Sequence, residues 1–136
     1  MVSTDLTTYV RQRMPLCETL GIRAEKLDAD EVILWLKWAP ELCTSNEMLH
    51  GGTVMALADS AGGAAAMANL PEGAVGTSTI ESKTNFLGAI RGGQIIATSR
   101  PLHVGSSTIV IETEVRNNDK LVAKVTQTQT VLRPRI

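Results

Sequence analysis

Cysteine is scarce. Cys17 and Cys43 are the two in 136 residues, too few for a disulfide framework and spaced unlike a zinc-binding set. Such sparing use fits a reducing cytosol. Neither sign of charge is in excess: the formal net charge is −1, so no basic field exists to hold nucleic acid or an anionic membrane surface. The first residues, Met1-Val2-Ser3-Thr4-Asp5, lack a basic segment followed by an apolar one, and no signal peptide is read there. A leucine-rich run long enough to span a bilayer is also missing. The most apolar stretch, 51–69, owes its hydropathy to alanine, carries Asp59 in mid-run and contains four glycines, which marks a core helix of a soluble protein. No Gly-Lys-Ser/Thr follows its glycine pair, so it is no P-loop. Ser60 lacks the Gly-x-Ser-x-Gly elbow of a serine hydrolase. No metal-ligand cluster is found, and no cofactor is called for.

What is present reads as one domain over 1–136, long enough to bury a core. Thr4 or Asp5 is placed to cap a short helix over about 4–14, with Leu6, Tyr9, Val10 and Met14 on one side and Pro15 ending or kinking it. From Gly21 the apolar period changes to two. Segments 22–27 and 31–38 flank the turn-forming Asp28-Ala29-Asp30 as a hairpin. Both faces of its second arm are apolar, which points to a core on one side and partial cover, as by a second subunit, on the other. Pro40 breaks that strand, and 41–49 is a loop. A long helix follows over about 51–69, its core face drawn by Val54, Leu57, Ala58, Ala61, Ala65 and Ala68. Strands are then expected over 74–87, 94–104, 107–116 and 120–132, with a turn at 88–93, a bulge or edge at Pro101 and a hairpin loop at 117–119. One core helix apart from an antiparallel meander gives an α+β protein.

Two elements of the long helix carry chemistry. Its entry, His50-Gly51-Gly52, offers unpaired backbone N–H groups at the positive end of the dipole. There an N–H of Gly51 or Gly52 can meet a carbonyl oxygen; a plain glycine-rich entry capped by His50 is the simpler reading. The second is Asp59, the one charged residue between His50 and Glu72. It reads as a nucleophile or general base toward a carbonyl or thioester, or as an acid in the N-terminal half of the helix favoured by the dipole, or as a carboxylate satisfied by nearby Ser or Thr hydroxyls. It shares a helical face with Gly52, Ala56, Gly63 and Ala66, small residues that permit close approach. Thr77, Ser78 and Thr79 can add a hydroxyl, and Asn46 can reach His50 or a ligand. Arg91, Arg100 and the turn Gly105-Ser106-Ser107 are candidates for phosphate contacts, while His103 reads as a solvated strand residue.

These residues resemble hotdog-fold acyl-CoA thioesterases of the phenylacetate-degradation (PaaI-like) type. The resemblance rests on His50-Gly51-Gly52, on Asp59 seven positions beyond the second glycine, on Thr-Ile-Glu-Ser-Lys-Thr-Asn-Phe-Leu at 79–87, and on the closing strands 107–116 and 121–126. It covers about 16–132. It implies a curved antiparallel sheet wrapped around one long central helix, and an acyl-CoA substrate with a small-to-medium or aromatic acyl group. It also implies Asp59 as the catalytic carboxylate, the Gly52 N–H as carbonyl polariser, and His50 orienting the loop or the substrate. Thr79 falls where the family often has an active-site Ser or Thr. There is one departure: six residues before the histidine, where relatives often have Asn or Gln, stands Thr44, with Asn46 two positions later. Two other classes compete. One is a hotdog dehydratase or hydratase, against which the spacing of His50-Gly51-Gly52 to Asp59 argues. The other is a non-catalytic acyl-CoA binding or sensing protein.

Helix geometry adds a demand of its own. Seven residues at about 1.5 Å each put Gly52 and Asp59 roughly 10 Å apart along one helix, too far to serve one carbonyl together. Two such helices antiparallel across a two-fold axis remove the difficulty. A homodimer with composite sites is therefore expected, and a dimer of dimers stays open.

Overall fold

The computed structural model describes residues 4–135, excluding the side chain of Thr4, so the cap expected of Thr4 lies outside what is described. Helix α1 (Thr4–Arg13) and helix α2 (Pro15–Leu20) come first. Pro15 does not simply end the first helix. It opens the second at a first-turn position, where its missing N–H costs nothing. Strands β1 (Arg23–Leu27) and β2 (Val32–Lys37) form the expected hairpin, closed by Asp28 and Glu31 through paired backbone bonds of 3.0 and 3.3 Å. The long helix α3 spans Gly51–Met67, followed by β3 (Gly76–Phe86), β4 (Gln94–Val104), β5 (Thr108–Asn117) and β6 (Lys120–Leu132).

All strands pair antiparallel in one sheet, in the order β1-β2-β4-β5-β6-β3. This corrects the expected meander. Only β4, β5 and β6 run as one; β3 leaves sequence order to pair with β6 at the far edge. The segment 88–93 is thus a crossover along the end of the sheet and not a hairpin turn. Pro101 does mark a bulge, the β4–β5 register shifting between Pro101 and His103.

The sheet curls around α3, as in the hotdog fold. The helix buries Val54, Leu57, Ala58, Ala61, Gly62, Ala65 and Ala66 against inward residues such as Leu34, Leu36, Ile95, Ile109 and Ile111, all fully buried. Ala66, expected beside Asp59 on the outer face, turns into this core, whereas Ala68, expected in the core, is exposed. On the outer side of β2 the Arg23 guanidinium lies 5.7 Å from the Trp35 ring centre. Asn69 ends α3 by donating to Ala65 O at 2.8 Å and ties it to the β1–β2 turn by donating to Ala29 O at 2.7 Å.

Small residues set how close sheet and helix come. A Cβ built on Gly62 would lie 2.5 Å from Nε2 of Gln127, a glutamine that is fully buried on β6. Glycine at that position lets the Gln127 amide lie flat against the helix.

Candidate active site at the start and middle of α3

His50 is the N-cap of α3, in extended backbone conformation, and its Nδ1 accepts the Gly52 N–H at 2.7 Å. Glycine is what lets the ring come so near, since a Cβ on Gly52 would lie 2.9 Å from Nδ1. An accepting Nδ1 puts the proton of a neutral ring on Nε2, which makes the exposed edge of His50 a donor. The Gly52 N–H, expected as the free carbonyl polariser, is therefore already engaged. The free donor is its neighbour: the Gly51 N–H has no acceptor among the described residues, while the Thr53 and Val54 N–H groups both bond His50 O. Gly51 also makes room for Phe86 at the end of β3, whose ring would lie 3.2 Å from a Cβ there.

Asp59 lies two turns further along α3, on an exposed strip with Gly52 and Met55. It has neither hydrogen bond nor ion pair among the described residues, so no described hydroxyl of this chain satisfies it. Loss of water to the surrounding protein raises its pKa above the ordinary aspartate value, and no neighbouring charge opposes the shift. Ser60, next in sequence, faces inward and donates to Ala56 O at 2.7 Å. Beyond Asp59 the strip continues through Gly63 to Met67 and opens into a cavity of about 580 Å³ between α1 and α3, walled by Leu6, Tyr9, Val10 and Met14.

The remaining candidates fall into two groups. Asn46 and Thr44 stand with His50 in the loop ahead of α3, both exposed. Arg91 joins them, but its guanidinium donates to Asn46 O at 3.1 Å and so serves the loop. Thr79 is exposed on β3, where its Oγ1 accepts from Gln129 Nε2 at 2.7 Å, leaving its own proton to donate. Thr77 and Ser78 precede it on the same edge strand. Gly105-Ser106-Ser107 lies apart, at the β4–β5 turn. Beside that turn His103 is an exposed residue of β4, as expected, with its Nε2 2.6 Å from where a Cβ on Gly105 would stand. Arg100 is taken by an ion pair with Glu31.

Reading the sequence missed several groups. Gln127 and Gln129 are buried polar residues joined by a hydrogen bond, and Nε2 of Gln127 has no acceptor among the described residues. Their signal was present as polar residues at inward positions of β6. Arg133 was also missed; it donates to Ser106 O at 2.8 Å and to Glu72 O at 2.9 Å, and a lone arginine near a chain end carries no signal.

Among the described residues, no helix is long and apolar enough to cross a membrane. Comparison with known proteins agrees with the geometry. Residues 46–124, which include His50, Gly52 and Asp59, match the thioesterase superfamily. A protein of Saccharolobus solfataricus named as a candidate esterase is 30% identical over 118 residues, covering 86% of this chain and 83% of that one. The 1,4-dihydroxy-2-naphthoyl-CoA hydrolase of Listeria monocytogenes is 26% identical over 102 residues, covering 75% of this chain and 82% of its own. A solved structure from Mycobacterium tuberculosis, also named as a candidate esterase, superposes with a TM-score of 0.86 at 25% identity, covering 90% of this chain and 100% of that one. With fold and matched span in agreement, the chain belongs to the thioesterase superfamily.

Proposed function

We propose that the protein is an acyl-CoA thioesterase of the PaaI-like type that cleaves its substrate to free acid and CoA. The observation that carries this reading is Asp59, an unpaired carboxylate of raised pKa on the open strip of α3. The Listeria relative is named for a CoA-thioester hydrolase, which favours CoA as the leaving group.

The chemistry divides between two copies of α3. From one protomer, the free Gly51 N–H and the His50 Nε2–H bind the carbonyl oxygen and stabilise the charge that develops on it. The Gly52 N–H holds the His50 ring in place for this task and joins in directly only if the ring swings away. From the other protomer, Asp59 acts on the carbonyl carbon, as nucleophile or as base on a water. As base, Asp59 takes a proton from a water whose oxygen bonds the carbonyl carbon. As nucleophile, it forms a mixed anhydride that water then hydrolyses to the free acid. In both, the C–S bond breaks and the CoA thiolate leaves, taking up the proton that the water gives. Asn46 and Thr79 supply further polar contacts to the substrate.

Support for the second copy comes from β3. It is an edge strand of 11 residues whose outer N–H and C=O groups face no strand of its own chain, and Ile80 and Phe86 on it are more than half exposed. Such an edge invites pairing with another strand. The acyl group enters the cavity between α1 and α3, beginning one turn past Asp59. Its volume lies within the usual range of small-molecule pockets and suits a medium-length or aromatic acyl chain. In this reading the turn Gly105-Ser106-Ser107, with Arg133 beside it, meets the CoA phosphates. Both cysteines are free, in keeping with a reducing cytosol.

The test is a panel of aromatic, short-chain and medium-chain acyl-CoAs incubated with the protein and a free-thiol reagent. Release of thiol is expected from at least one class. Binding or hydration of the acyl chain without thiol release would replace this reading with a sensor or a hydratase.

A further inference from the structure

Asn46 and Glu47 stand side by side in the loop before α3 with φ of 61° and 59°, a left-handed conformation that non-glycine residues adopt rarely. Two consecutive residues of this kind persist only where their surroundings hold them. Here the holding groups come from outside the loop. The Trp38 indole N–H, just after β2, donates to Glu47 O at 3.0 Å. The Arg91 guanidinium, on the crossover after β3, donates to Asn46 O at 3.1 Å.

The base of the loop is fastened by backbone. Thr44 N–H bonds Met48 O at 2.8 Å, Leu49 N–H bonds Ile90 O at 2.8 Å, and His50 N–H bonds Leu42 O at 3.0 Å. Leu49 and Ile90 are both buried there, and Trp38 N–H is itself tied to the crossover through Gly93 O at 2.9 Å. Yet the Asn46 carboxamide, at the strained tip, bonds to nothing among the described residues and is exposed. The strain therefore serves no internal side-chain bond. It fixes where an open amide stands, four residues ahead of the His50 cap.

We propose that Trp38 and Arg91 are positioning residues for the hydrolytic site. They clamp the Asn46 and Glu47 carbonyls so that the Asn46 carboxamide and the His50 ring meet the thioester in one fixed arrangement. This rests on the thioesterase reading.

The test uses Trp38→Phe, which removes the indole N–H, and Arg91→Ala at an exposed position. In each, kcat on the best acyl-CoA of the panel should fall roughly tenfold, since small misplacements cost rate steeply, while KM and melting temperature stay close to wild type. Adding Glu47→Gly to Trp38→Phe should restore most of kcat, because glycine takes positive φ freely, and Arg91→Lys should restore most of it at the other donor. Unchanged kcat in both single variants would overturn the clamp. So would a loss that follows melting temperature and is not recovered by Glu47→Gly. If the wild type releases thiol from no acyl-CoA, the thioesterase reading falls by itself. Amide hydrogen exchange over 44–50 then decides the clamp: a rise of roughly tenfold in both variants upholds it, and unchanged exchange removes it.

Discussion

Asp59 works against the stability of the resting chain. Its folded-state pKa lies above the ordinary 3.8 because the protein withholds part of the water from its charged form, an effect kept small by its place on the exposed strip. Below that ordinary value both folded and unfolded chains hold the proton, and Asp59 costs nothing. As pH rises through the raised folded value the unfolded chain gives up its proton more readily, and stability is lost. Asp59→Asn should therefore melt higher than wild type near neutral pH, with the advantage vanishing below about pH 4. The same substitution should lower acyl-CoA turnover by at least about a hundredfold, the loss of an acid–base group. Thermal melts across pH and thiol release on one preparation check both. A variant no more stable than wild type at pH 7 would contradict the desolvated carboxylate, and near-wild-type turnover would remove Asp59 from the mechanism.

At the scale of the element, α3 depends on which glycine faces the sheet. Gly62→Ala would place a methyl 2.5 Å from Gln127 Nε2, the amide of a fully buried side chain, whereas a Cβ on Gly63 meets nothing within 4 Å. Overpacking costs about 1–3 kcal/mol and is only partly offset by the roughly 1 kcal/mol that alanine gains over glycine in a helix. Gly62→Ala should thus destabilise, and Gly63→Ala should be neutral or stabilising, by denaturant midpoint. The opposite order would mean that Gln127 does not lie against α3. The existence of α3 and of each strand was legible in the sequence, because the period of Val54, Leu57, Ala58 and Ala61, and the alternation in β5, are local signals. The site's framework, His50 capping a helix that carries Asp59, was legible for the same reason. Strand order was not: a tight turn and a crossover at 88–93 share one glycine-rich composition, and only pairing with β6 tells them apart. Nor was the occupied Gly52 N–H, which depends on the rotamer of His50. The left-handed pair Asn46–Glu47 carries no glycine to announce it, and its supports at Trp38 and Arg91 lie 9 and 45 residues from the carbonyls they hold.

At the scale of the whole molecule, the account turns on distance. The donors at the start of α3 and the carboxylate in its middle are roughly 10–12 Å apart along one rigid helix. An oxyanion donor must come within about 3 Å of its oxygen. The end of the edge strand β3 meets the start of α3, where the Phe86 ring lies against Gly51. A second copy meeting the chain there about a two-fold axis would bring each Asp59 to the other's helix entry. The most direct measurement mixes an Asp59→Asn chain with a His50→Ala chain, each inactive as a homodimer, and assays the isolated mixed dimer for thiol release. One of its two sites should then hold both residues intact and the other neither, so roughly half of the wild-type activity per dimer should return. Verified mixed dimers that remain inactive would contradict the composite site and place His50 and Asp59 in one chain's own pocket.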